Sequence, residues 1–186
     1  MDESGMGPRS HLSISVARAA LESTRRTPLL YAATSLLLLA GLRRNETTRL
    51  LRNDWQSGND PRVTVRGQRK VRRIRVAAGV AEAVEAQLIG AVIKPTESLL
   101  PGLHAASAPY RLSQLFQARM REESLHVTVS DLRRAAIAAA IESGTPLAHI
   151  REYFGLSRVV KREELPRIPE GFDRRIAALL EEKFAV

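Results

Sequence analysis

The chain has 186 residues, with 29 Lys and Arg against 20 Asp and Glu, a net charge of +9 and a pI near 10.9. Its 44% hydrophobic and 26% charged content fits a folded globular protein rather than a disordered polyelectrolyte. The absence of cysteine excludes disulfides, thiolate metal sites and cysteine nucleophiles. The histidines (His11, His104, His126, His149) show no ligand spacing, so neither a metal nor another cofactor is expected. The charge favours a polyanionic partner, nucleic acid or an anionic membrane surface. The longest apolar run, residues 29–42, contains Thr34 and Ser35 and is too short to span a bilayer. It also starts too late and lacks a cleavage pattern for a signal peptide. It reads as a buried helix, no membrane partner is expected, and the expected location is a reducing cytoplasm, on the nucleoid.

Residues 1–10 (MDESGMGPRS) read as a disordered leader, 11–165 as one domain and 166–186 as a linker with a tail helix. Ser13 can cap a helix to about residue 23, and Thr27-Pro28 opens the apolar helix, which ends at Gly41. A third helix is expected over about 45–52. Residues 62–66 and 71–76 alternate apolar and polar around Gly67-Gln68-Arg69-Lys70 and predict a β-hairpin. Helices follow at 78–92, 110–122, 131–143 and 146–154, with a Pro-, Gly- and Ser-rich loop over 94–109. An amphipathic helix at 172–184 closes the chain after Pro166 and Pro169. The expected fold is mainly α with a small antiparallel sheet.

Three segments carry chemistry. Arg62, Arg66, Arg69, Lys70, Arg72, Arg73 and Arg75 crowd onto the hairpin, with no acid between Asp60 and Glu82. A charge run is ordinarily a solvated face, but so many cations on one ribbon repel one another, and a DNA phosphate track relieves the repulsion. In Gly41-Leu42-Arg43-Arg44-Asn45-Glu46, Glu46 lies three residues after Arg43 and can hold its guanidinium on one helix face. An ordinary surface pair explains this spacing equally well. In Val129-Ser130-Asp131-Leu132-Arg133-Arg134, Ser130 as cap puts Arg133 in the first turn, against the macrodipole. An arginine there suggests a bound anion, and a salt bridge to Asp131 is the plain alternative.

In this order the segments resemble the catalytic domain of tyrosine recombinases of the phage-integrase type, over residues 12–165. The stretch 36–55, LLLLAGLRRNETTRLLRNDW, is similar to their first-arginine box, with Arg43 at the first catalytic arginine. The hairpin is similar to the one carrying their lysine, and Arg133 matches the arginine of their His-x-x-Arg box. The resemblance implies a phosphate clamp of Arg43, Lys70 and Arg133, and a DNA surface of Arg43, Arg66, Arg69, Lys70, Arg72, Arg73, Arg133 and Arg134. It also implies a fold of the DNA breaking-rejoining type, with double-stranded DNA as the partner.

Several positions depart from that pattern. Gln68 stands where the lysine directly follows the turn glycine, Ser130 replaces the first histidine and Leu156 the second histidine or tryptophan. The nucleophilic tyrosine belongs near Leu165, and no tyrosine follows Tyr153. Tyr153, Tyr31 and Tyr110 read as packing residues, and the family's amino-terminal arm-like domain is not expected. The resulting expectation is a degenerate relative, with no intact catalytic set, that binds DNA without cleaving it alone. It would regulate or accompany an active recombinase in DNA integration or recombination. One alternative is an active recombinase using a tyrosine donated in trans. Another is a helix-turn-helix regulator with a recognition helix over 157–165. The tail helix 172–184 resembles the segment such proteins exchange between protomers; packing on its own core is the plainer reading.

Overall fold

The structure, a computed structural model, describes residues 12–67, 70–89, 92–103, 106–156 and 168–185. Helix α2 (Pro28–Leu38) is the axis of the molecule, opened by Pro28 in its first turn. Its apolar residues continue around the helix instead of forming one stripe, so it can be stable only when surrounded. Helices α1 (Ile14–Thr24), α3 (Arg44–Thr47), α4 (Ala78–Leu88), α5 (Ala108–Glu122) and α6 (Val129–Glu142) all touch it. Leu36, Leu37 and Leu38 are fully buried in consequence, each contributing about 1.5–3 kcal/mol of apolar burial. Helices α7 (Leu147–Phe154) and α8 (Phe172–Phe184) complete the described helices.

The neighbours of α2 present one apolar stripe each. Helix α5 buries Ala108, Leu112, Phe116 and Met120, spaced four apart, and turns Tyr110, Gln114 and Arg121 outward. Helix α6 starts at Thr128, whose hydroxyl accepts from the Asp131 amide while the Asp131 carboxylate accepts from the Thr128 amide, a reciprocal cap. The cap is therefore Thr128 and not the expected Ser130, so Arg133 lies in the second turn and loses the first-turn argument for an anion.

The sheet has three antiparallel strands in the order β1 (Trp55–Gln56), β2 (Arg62–Arg66), β3 (Val71–Arg75). The expected hairpin is β2–β3, with Val63 opposite Ile74 and Val65 opposite Arg72. The two-residue β1 was not expected; it is too short to show a period. The expected helix over 45–52 is instead the single turn α3, followed by a 3-10 turn at Arg52–Asp54. The chain between them pairs with the loop at Ser98, where Leu99 donates to the Leu50 carbonyl.

Helix α8 has the expected bounds and packs on α1, α6, α7 and β3 of its own chain, burying Ile176, Ala177, Leu180 and Phe184. Polar contacts fix both ends. Asp173 accepts from the Arg75 amide and pairs with its guanidinium at 2.9 Å, and Arg18 donates to the carbonyls of Glu182 and Lys183. The helix-turn-helix alternative places its recognition helix outside the described residues. No described helix is long and apolar enough to cross a membrane.

Within α2, the hydroxyls of Thr34 and Ser35 are buried and find no hydrogen-bond partner among the described residues. A buried hydroxyl without a partner costs more than it contributes. Ser35→Ala should raise stability by about 1 kcal/mol, measured as a higher urea midpoint at unchanged slope. A lower midpoint would show that the hydroxyl is bonded in solution.

Candidate nucleic-acid interface

The last turn of α7 organises the site. Gly155 ends the helix in the left-handed conformation at φ 61°, and the Leu156 amide reaches back to the Arg151 carbonyl at 2.9 Å. That glycine-based cap satisfies the carbonyls of Arg151 and Glu152. Each of the next three carbonyls accepts from an arginine of a different element. Arg72 of β3 donates its Nε to Tyr153 at 3.0 Å, Arg133 of α6 donates to Phe154 at 2.6 Å, and Arg43, preceding α3, donates to Gly155 at 3.2 Å. Arg133 also donates to the carbonyl of Gly41. The negative end of the helix thus draws three cations that lie up to 90 residues apart in sequence to one place.

Two glycines make this approach possible. A Cβ at Gly155 would lie 2.6 Å from Nη1 of Arg72, and one at Gly41 would lie 2.2 Å from the Phe154 ring. Both sit at positive φ, so any side chain there would also strain the backbone.

Glu46 is the counter-charge, though not for the residue expected. Its carboxylate accepts the Arg43 amide at 2.8 Å and holds the Arg72 guanidinium through two bonds of 2.8 and 2.9 Å. The expected Arg43–Glu46 side-chain pair is replaced because β3 brings Arg72 in from the interior side. Burial alone would raise the Glu46 carboxyl, but bonds from Arg72 and the Arg43 amide, with the charges of Arg72 and Arg133, hold it below its usual 4.5. Arg133 is pulled down to about 10 by burial, opposed by Glu46 and reinforced by the like charges of Arg43 and Arg72. Three guanidiniums against one carboxylate leave positive charge that an anion would neutralise.

The hairpin cations are less alone than the sequence implied. Arg62 and Arg75 share Asp60, whose carboxyl their hydrogen bonds, Arg75 first, hold down to about 2. Arg66 pairs with Asp54, Lys70 with Glu152, and Arg75 also with Asp173. Arg73 donates to the neutral Gln56. The expected mutual repulsion is therefore offset by acids from five other places in the chain, Glu46 included. Arg72, 6% exposed, is not on the outer track of the ribbon; Arg66, Lys70 and Arg73 are. Arg69 lies outside the described residues. Arg134 is exposed and takes the Asp131 salt bridge, at 3.3 Å, that was considered for Arg133.

The structure brings Arg43, Lys70 and Arg133 together at the α7 terminus, and Arg72 with them. The burial of Arg72 had a sequence signal, since it lies two residues before Ile74 on the same strand face. Tyr153 fills the core as expected; its hydroxyl donates to the Arg75 carbonyl at 3.0 Å, and burial pushes its pKa far up. Tyr110, expected to pack, is instead 65% exposed, because the stripe of α5 runs through Leu112 and Phe116. Among the described residues no cluster of His, Asp and Glu could hold a metal. The position expected for the family's nucleophile, near Leu165, lies outside the described residues.

The architecture is that of the catalytic domain of tyrosine recombinases. An integrase from mycobacterium phage Brujita superposes with a TM-score of 0.72 at 17% identity, over 96% of this chain and 59% of that one. The XerA recombinase gives 0.68 at 18% identity, over 90% and 64%. The XerH site-specific recombinase, bound to its difH substrate in a pre-cleavage complex, gives 0.66 at 16% identity, over 90% and 53%. The chain thus spans between about half and two thirds of the length of these solved proteins. No protein-family model and no curated protein matches the sequence.

Removing the Glu46 charge leaves Arg72 buried without its partner, so Glu46→Gln should destabilise the fold by about 3–5 kcal/mol. The pH dependence follows from the depressed carboxyl. Below pH 4.5 the unfolded chain takes up a proton that the folded Glu46 refuses, so its stabilisation is complete above about 4.5 and is lost as pH falls through the folded value. Urea midpoints between pH 7 and 3 should therefore converge for the parent and Glu46→Gln. A constant gap across that range would contradict the charge pairing.

Proposed function

We propose that this chain binds double-stranded DNA without cutting it alone, and that it regulates or accompanies a DNA-cleaving recombinase during integration or recombination. The observation that carries this reading is the convergence of Arg43, Lys70, Arg72 and Arg133 on one helix terminus, with more positive charge than Glu46 and Glu152 neutralise. The backbone of one DNA strand supplies the missing anions. Arg43 offers an exposed guanidinium to a phosphate there, while Arg133 and Arg72 hold the surrounding field. Arg66, Lys70, Arg73 and Arg134 extend the surface along the ribbon and α6, and Arg69 is proposed to join them. The recombinase fold, captured on DNA in XerH, supports a duplex as the ligand. A DNA-bound protein of this kind would reside in the cytoplasm, on the nucleoid.

Phosphodiester cleavage in such a site needs a nucleophile as well as a clamp. Tyr153 has its hydroxyl buried and committed to a backbone carbonyl. Ser130 stands where the resemblance calls for a histidine, and Leu156 where it calls for a histidine or tryptophan. A charge clamp without those groups favours holding a phosphate over breaking its ester.

Two measurements on the purified chain test this. Anisotropy titrations on a labelled duplex should show affinity falling steeply with salt, each phosphate contact adding about −0.9 to the logarithmic slope. Arg43→Ala should weaken binding on every duplex and flatten that slope by about 1. Incubation with nicked suicide duplexes and denaturing electrophoresis should give no covalent band. Salt-independent binding would refute the phosphate surface, and a covalent band would refute the non-cleaving reading.

A further inference from the structure

Four consecutive residues at the end of α7 each hold one cation. Tyr153, Phe154 and Gly155 do so through main-chain carbonyls, which no substitution removes; Glu152 does so through its side chain. Both Glu152 carboxylate oxygens accept from Lys70 Nζ, at 2.6 and 2.7 Å, although the residues are 82 apart in sequence. Lys70 leads into β3, its carbonyl taking the Gly67 amide at 3.1 Å, so this contact ties the start of β3 to α7.

Of the two acids in the cluster, only Glu152 is placed to exchange. Glu46 and Arg72 have side chains 9% and 5% exposed, and Glu46 is also held by the Arg43 amide. Lys70 and Glu152 are 66% and 33% exposed, in the range where water and salt compete readily with an ion pair. A phosphate diester resembles a carboxylate in carrying one negative charge over two acceptor oxygens. We propose that Glu152 is an internal stand-in for a DNA phosphate: it holds Lys70 in the free protein and must be displaced when the backbone of a duplex takes its place. The pairing lowers affinity for DNA and keeps Lys70 already positioned beside Arg43 and Arg133. This inference rests on the DNA-binding reading above.

The test is Glu152→Gln, which keeps the shape and removes the charge. Its dissociation constant for a duplex at low salt should fall roughly two- to five-fold, the range expected for releasing one exposed ion pair. The logarithmic salt slope should steepen slightly, because rising salt weakens the Lys70–Glu152 pair that only the parent must break and so shrinks the gain. Lys70→Ala in the Glu152→Gln background should remove both changes. Glu142→Gln, which neutralises an exposed acid on α6, should reproduce neither. A merely structural Glu152 would predict the reverse, a looser hairpin and weaker binding with no steepening. Parent binding that is unchanged or weaker in Glu152→Gln, or an equal gain in Glu142→Gln, would overturn the inference and leave the DNA reading standing. No binding by either parent or Glu152→Gln would overturn both.

Discussion

Everything else at the site depends on how the end of α7 disposes of its free carbonyls. A helix leaves its last carbonyls unsatisfied and its C-terminus partly negative. Here the glycine-based cap takes the first two, and three arginines take the next three. Those arginines come from β3, α6 and the link between α2 and α3, so one helix end ties the sheet, the central helix and the α6 layer to a common point. The arrangement fixes the neighbouring residue types as well. Gly155 must lack a side chain for Arg72 to approach, and Gly41 must lack one for the Phe154 ring.

Bringing three guanidiniums together is costly, and the structure meets that cost incompletely. Glu46 neutralises Arg72 in a buried two-bond pair, the carbonyls supply partial charge to the others, and positive potential remains. Stability and ligand binding therefore draw on the same groups. Arg72 is buried and Arg133 half-buried, each tied to backbone carbonyls, whereas Arg43 and Lys70 retain the exposure that contact with a polyanion requires. In the proposed reading, buried Arg72 and half-buried Arg133 form a scaffold that presents two outer cations.

The long periodic segments were legible in advance. The bounds of α8 and the hairpin followed from apolar spacing, and the encirclement of α2 followed from a run with no polar face. Elements without a period were not legible: β1 is two residues long and α3 a single turn. At the end of α7, the cations that converge were named from sequence but their partners were not. Glu46 pairs with a residue 26 positions away, while local spacing offered one three positions away. The acids that neutralise the hairpin come from the α3 turn, the 3-10 turn, the β1–β2 loop, α7 and α8. Charge counted along the hairpin alone could not include them. Thr128 and Ser130 both offer a capping hydroxyl, and Asp131 selects Thr128 by lying three residues after it.

The most direct test of the account is a crystal structure of the chain with a short duplex. A backbone phosphate should lie within hydrogen-bonding distance of the Arg43 guanidinium beside the end of α7, with Lys70 turned from Glu152 to an adjacent phosphate. A duplex bound to another face, with the Arg43–Gly155 and Lys70–Glu152 contacts intact, would show that the arginines gathered at α7 serve the fold alone.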